Sequence, residues 1–188
     1  MMISQVVVAI LSMSLVSIDS TRFILVKNEP SSQIECARAI PKSIVNKSIF
    51  PNTKFVLKKD ANRVPYGLET LRFNNGDKLV ITHTGCESYI LNFQFETSQF
   101  AADITDTKYW FARSIQLMRQ TEKGIETPTQ IHKGIQALKK YSKTERPEIG
   151  KEIDYGGKDI RSVVSLIEVK KLENKKFVVT VNFYDGPL

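Results

Sequence analysis

The stretch from Tyr66 to Glu96 constrains the fold more than any other part of this 188-residue chain. It contains three runs in which apolar and polar residues alternate, a pattern typical of strands with one buried face and one wet face. Asn75-Gly76 separates the first two runs and indicates a hairpin, because a type I′ turn needs positive φ at both central positions. The sequence therefore predicts three consecutive antiparallel strands here.

The third of these runs has the clearest division between its two faces. One face carries Tyr89, Leu91, Phe93 and Phe95, and the opposite face carries Ile90, Asn92, Gln94 and Glu96. Further strands are predicted at Arg22–Lys27, Thr53–Lys59, Ser162–Leu172 and Lys176–Tyr184, the last two joined by a hairpin at Glu173-Asn174-Lys175.

Helical periodicity replaces strand alternation in two segments between these strands. The first helix is predicted from an Asp106 N-cap to about Lys123, and the second from Thr127-Pro128, read as an N-cap and first helical residue, to about Tyr141. A short helix is also predicted from Ser32 to about Ile40, because Ser32 and Glu35 form a capping box.

These elements together predict an α+β fold. We expect a mostly antiparallel sheet of about six or seven strands, a helical hairpin packed on one face, and the short N-terminal helix. The segment 142–159 is polar and is predicted to be a long loop with one short strand. No linker or internal repeat divides the chain, so residues 21–188 are predicted to form one domain.

The first twenty residues indicate export. Val6–Ile18 is an apolar run, broken only by small serines, that would span roughly 20 Å as a helix, which is short for a membrane span and typical of a signal peptide. The run lacks a basic n-region and a clear cleavage motif, so a buried strand or helix is the alternative. We predict a signal peptide at 1–20, a periplasmic or secreted protein, and no membrane span after cleavage.

The chain has two cysteines, Cys36 and Cys86, and an even number after a signal-like start favours one disulfide bond. The bond would close a loop of about 50 residues and stabilise the fold by about 4 kcal/mol on the chain-entropy account. Two free buried thiols, or a reactive or metal-binding cysteine, are the alternatives. No cofactor or metal motif is present, so the sequence predicts neither.

Two arrangements could support catalysis. Cys86 could act as a nucleophile with His83 or His132 as its base, as in a small envelope hydrolase. Alternatively, carboxylates in the interval Glu87–Asp106 could support glycoside hydrolysis, and they are Glu87, Glu96, Asp103 and Asp106. Asp103 and Asp106 stand where helix caps belong, which favours a structural role for both.

The chain is basic, with a formal net charge of +7 at pH 7. The candidate basic contact surface consists of Lys133, Lys139, Lys140, Lys143, Lys170 and Lys171. Nucleic acid is disfavoured as a partner, because most aromatic residues share a face with aliphatic ones rather than standing among exposed cations.

A function by contact is therefore the main prediction. We expect an exported, non-enzymatic binding protein, such as an inhibitor or immunity-type partner of another protein, that binds a protein or an anionic envelope polymer. The long loop 142–159 and the irregular stretch Pro41–Pro51 are the predicted contact segments, because loops carry recognition more often than packed faces do. The hydrolase based on Cys86 or on the carboxylates remains the alternative.

Overall fold

The computed structural model describes residues 40–85, 88–157 and 159–187, which all belong to one compact unit. The strands are β1 Lys54–Lys59, β2 Pro65–Arg72, β3 Lys78–Gly85, β4 Tyr89–Thr97, β5 Ile153–Asp154, β6 Arg161–Lys171 and β7 Phe177–Gly186. The helices are α1 Thr107–Thr121 and α2 Ile131–Tyr141, with a 3-10 turn at Glu122–Gly124 between them.

The seven strands form one antiparallel sheet in the order β1-β2-β3-β4-β7-β6-β5. Within the described residues this confirms the predicted, mostly antiparallel sheet. Both edges are protected against pairing with another chain, because β5 has only two residues and β1 carries the exposed lysines Lys54, Lys58 and Lys59.

Three of the hairpins close with the same three-residue turn. In the predicted hairpin at Asn75-Gly76, Gly76 has φ 85°, and its amide donates to the Phe73 carbonyl at 3.0 Å. Among the described non-glycine residues, only Arg63 and Lys175 have positive φ, so Asn75 does not, and the predicted type I′ turn is wrong. Arg63 and Lys175 take the position of Gly76 in the β1–β2 and β6–β7 turns. Each turn is a type I turn followed by one left-handed residue.

The core lies between one face of the sheet and the two helices. The inward residues of β3, β4 and β7 are almost wholly buried, and so are the predicted inward residues of both helices. In α1 these are Trp110, Phe111, Ser114, Ile115, Leu117 and Met118, and in α2 they are Ile131, Ile135 and Leu138. The predicted face assignments are therefore confirmed.

The helix boundaries agree with prediction except at the start of α2. The Asp106 carboxylate accepts the Tyr109 amide at 3.0 Å, as an N-cap does, and α2 ends at Tyr141. However, α2 begins at Ile131, so Thr127-Pro128 is not its start. The Thr127 and Thr129 hydroxyls instead contact side chains at the end of the sheet, and residues 126–130 lie outside helix and strand.

Several predictions concern parts of the chain outside the described residues. They are the signal peptide, the strand at Arg22–Lys27, the helix from Ser32, and the Cys36–Cys86 bridge with both of its cysteines. Within the described part, no helix is long and apolar enough to cross a membrane.

Candidate functional site

Two opposite ends of the sheet hold the residues singled out by the sequence. The connector end is where β3 and β7 finish, β4 begins, and residues 125–130 join the two helices. The lysine end is where β6 finishes and β7 begins. The helices run antiparallel between them, since Trp110 of α1 contacts Phe177 at the start of β7 and Tyr141 at the end of α2 contacts Phe111.

The six predicted contact lysines are divided between these two ends. Lys139, Lys140 and Lys143 lie at the end of α2 that faces the lysine end, and Lys170 and Lys171 close β6 there. All five are exposed, and none is ion-paired with a described residue. Lys133 lies in the first turn of α2, at the connector end, and lines a cavity with Asp185.

That cavity, which we call the connector cavity, has a volume of about 420 Å³ and lies between the long loop, α2 and the end of β7. Its polar lining comprises Gln130, Lys133, Tyr155, Asp159, Ser162 and Asp185. The predicted contact loop 142–159 therefore contributes a wall of a cavity through Tyr155 and the residues that follow it.

Asp185 is held in place by a neighbouring hydroxyl group. The Thr129 hydroxyl donates to Asp185 Oδ2 at 2.6 Å, and the backbone of Asp185 pairs with Tyr89 on one side and Ser162 on the other. The segment between the helices is thus tied to the end of β7, which gives the carboxylate a defined position in the cavity wall.

Tyr155 packs into the same wall. Its ring contacts Phe183 edge-on at 6.3 Å and lies over Gly134 of α2, where an added methyl group would come within 3.2 Å of Tyr155 Cε1. Burial, together with the Asp185 carboxylate, raises the pKa of Tyr155 above its usual range. The phenol therefore stays protonated, and its buried oxygen has no hydrogen-bond partner among the described residues.

His83 borders a second cavity at this end, of about 360 Å³. It is 1% exposed on the helix-facing side of β3, as the alternation predicted, and its Nε2 lies 3.5 Å from Oε1 of the fully buried Glu69. The ring stacks on Phe55 and lies directly over Gly67, where a Cβ would come within 2.3 Å of Nε2. Only glycine at position 67 leaves room for this imidazole.

Glu69 has the features of a functional residue, although the sequence pattern does not single it out. Its carboxylate accepts the Ile44 amide at 2.6 Å and the Ser43 hydroxyl at 2.7 Å. Burial raises the pKa of Glu69, but contact with His83 and these two hydrogen bonds outweigh burial and lower it overall. The alternation in β2 does indicate that Glu69 is buried, because Glu69 shares the inward face of the strand with the buried Leu71.

The other candidate catalytic groups have separate partners. His132 lies on the surface of α2, and its Nδ1 is 3.3 Å from Glu122 Oε2. It is far in the sequence from the buried His83. Glu96 pairs with Lys176 at 2.8 Å, Asp103 accepts the Thr105 amide and hydroxyl, and Asp106 caps α1. Glu87, like Cys86, lies outside the described residues.

The described residues include no group of three or more acidic, histidine or cysteine side chains that could hold a metal ion. Comparison with protein-family models, curated proteins and solved structures finds no match to this chain.

Proposed function

We propose that this protein is an exported, non-catalytic binding protein, of an inhibitor or immunity type, that contacts a protein or an anionic envelope polymer through its lysine end. The observation that supports this most is the set of five exposed lysines there, with no ion-pair partner among the described residues. No described carboxylate lies within ion-pair distance of these lysines, although Lys171 is near enough to Asp103 to contribute to the lowered pKa of that carboxyl.

The physical effect of such a surface is mainly on the rate and selectivity of association. One exposed ion pair contributes about 0–1 kcal/mol, because solvent screens it and both side chains lose freedom. Several like charges at one end of the sheet act together, since their summed field attracts an anionic partner before contact. Binding should therefore weaken as salt rises.

The test compares two triple charge reversals in the otherwise unchanged protein. The first is Lys139→Glu, Lys140→Glu and Lys143→Glu at the lysine end, and the matched control is Lys54→Glu, Lys58→Glu and Lys59→Glu on β1. Both variants change the net charge by the same amount, and all six positions are exposed. Captured envelope proteins and polymers are then compared at low and high salt.

The lysine-end variant should lose its partner and the control should retain it. Equal losses in both variants would mean that net charge alone drives binding, and undiminished capture by the first variant would exclude the lysine end as the contact surface.

Export has its own test, which is an intact mass of the protein from its native host, with and without reductant. A mass that lacks about twenty N-terminal residues and rises by about 2 Da on reduction would support export and the Cys36–Cys86 bridge. A full-length, reduced protein in the cytosol would contradict both.

One observation favours a second candidate, the hydrolase that uses Cys86 and His83. Glu69 beside His83 resembles the carboxylate that orients a catalytic imidazole, and Gly85 in the same cavity wall directly precedes Cys86. Alkylation of the Cys86 thiol whose pH dependence changes in His83→Gln would support the hydrolase.

A further inference from the structure

We propose that the connector cavity binds a small zwitterion, a ligand of amino-acid or dipeptide size that carries both an ammonium group and a carboxylate. This goes beyond the proposed function, because the cavity lies at the opposite end of the sheet from the five lysines. Its volume of about 420 Å³ is within the range of small-molecule sites.

The charges around the cavity are the first argument. Lys133 supplies a cation, and Asp159 and Asp185 supply two anions, yet none of the three is ion-paired with a described residue. Charges of both signs therefore line one cavity without neutralising each other. A ligand with only a carboxylate would meet two carboxylates, and a ligand with only an ammonium would leave Lys133 without a partner.

The second argument is that the carboxylate for the ammonium is already positioned. Thr129 holds Asp185 through Oδ2, and an ionised carboxylate can accept further hydrogen bonds besides this one. A fixed acceptor loses little freedom on binding, which favours the complex. Lys133, on the first turn of α2, is in the same lining and can meet the ligand carboxylate.

The third argument is the wall formed by Tyr155. Its ring, which contacts Phe183 and lies close to Gly134, offers apolar surface for the carbon atoms of the ligand. A tyrosine phenol is neutral at pH 7, so it adds no third negative charge to the site. The lining thus combines apolar surface with a few placed polar groups, as ligand sites do.

The test is isothermal titration of the full mature protein with L-alanine and with L-alanyl-L-alanine, using methylammonium and acetate as single-charge probes. We expect one of the two zwitterions to bind and both single-charge probes to bind at least about tenfold more weakly, since each lacks one charge-assisted contact. Comparison of the amino acid with the dipeptide shows which of these two kinds of zwitterion the cavity binds.

Two variants and one control complete the test. Asp185→Asn and Lys133→Met should each weaken binding of the zwitterion by about tenfold, and Lys139→Met, on the same helix but outside the cavity lining, should leave it unchanged. Lys133 is exposed, so its variant should fold even if Asp185→Asn does not.

No heat of binding with either zwitterion at millimolar concentration would overturn the proposal. Equal affinity for acetate, methylammonium and the zwitterion would overturn it too, as would unchanged affinity in Lys133→Met. Lys133→Met should still capture the envelope partner, because that capture depends on the lysine end. Capture by this variant therefore tests the proposed function separately from the zwitterion site.

Discussion

Glu69 and His83 near the connector end differ in burial from the five lysines at the lysine end. At the connector end, Glu69 and His83 are buried, and Asp185 is tied to Thr129. At the lysine end, the five lysines are exposed, and Trp110 contacts Phe177 with ring centroids 4.8 Å apart. This end also holds a buried carboxylate, Asp77, which accepts the Thr97 hydroxyl at 2.8 Å. Substitutions of Glu69 or His83 should therefore affect folding, whereas substitutions of the five lysines should affect binding.

The largest effect is expected for Glu69→Gln. The free energy of unfolding should fall by about 2–3 kcal/mol, because the buried Ile44 amide, the Ser43 hydroxyl and His83 lose a charged acceptor. Denaturant titration at pH 7 measures this. The half-buried Glu96–Lys176 pair offers a control, since Glu96→Gln should cost no more than about 1 kcal/mol. Equal losses would contradict the contrast between the ends.

The same variant should reveal a pH dependence. The pKa of Glu69 is lowered in the folded state, so its contribution is present above the unfolded value near 4.5 and is lost as pH falls through the folded value. The stability difference between wild type and Glu69→Gln should therefore shrink below about pH 4.5. A difference that stays constant to pH 2 would show that the ionised carboxylate is not the stabilising form.

Gly67→Ala should have the next largest effect, a loss of about 1–3 kcal/mol. The added methyl group would overlap the His83 ring, so the ring must leave the position where it contacts Glu69. Chemical denaturation measures the loss, and the His83 ring resonances report the displacement. Gly157→Ala is the control, because its Cβ would meet nothing within 4 Å.

Charge reversal at the lysine end should change stability little. For Lys139→Glu with Lys140→Glu and Lys143→Glu, we expect about 0.5–1 kcal/mol of destabilisation, since anions near the end of α2 oppose the helix dipole. Thermal unfolding checks this value. A loss as large as that of Glu69→Gln would mean that the lysines stabilise the folded state. A binding defect in this variant would then not show that the lysines contact the partner.

A small gain in stability is expected for Lys175→Gly. Lys175 has φ 62°, where a side chain costs about 1–2 kcal/mol, although glycine also gains freedom in the unfolded chain. The net gain should be about 0.5–1 kcal/mol, measured by thermal unfolding. The corresponding change Arg63→Gly, in the equivalent turn between β1 and β2, should give a similar gain.

Much of the fold within the described residues could be predicted because it depends on neighbours in the chain. Alternation identified β3 and β4, helical spacing identified the inward residues of α1, and Asn75-Gly76 identified a hairpin. The exact turn could not be predicted, since the same dipeptide fits a two-residue or a three-residue loop. The predicted start of α2 is wrong because the Thr127 hydroxyl donates to the Tyr89 hydroxyl, 38 residues away in the chain, and does not cap a helix.

The candidate sites were less predictable for a related reason. A glutamate in an alternating strand usually faces water, so Glu69 was not considered, although it shares a face with Leu71. The connector cavity joins Lys133, Tyr155 and Asp185, which are far apart in the sequence. No local pattern indicates that three such residues surround one space.

The sequence by itself therefore determined the type and facing of most described elements, because the periods of two and of 3.6 residues reflect which side chains avoid water. Only the tertiary structure decided that β7 lies between β4 and β6, which brings Asp185 beside Tyr89 and Ser162. It also decided which charges are buried and which remain free, because burial depends on what the rest of the chain packs against each group.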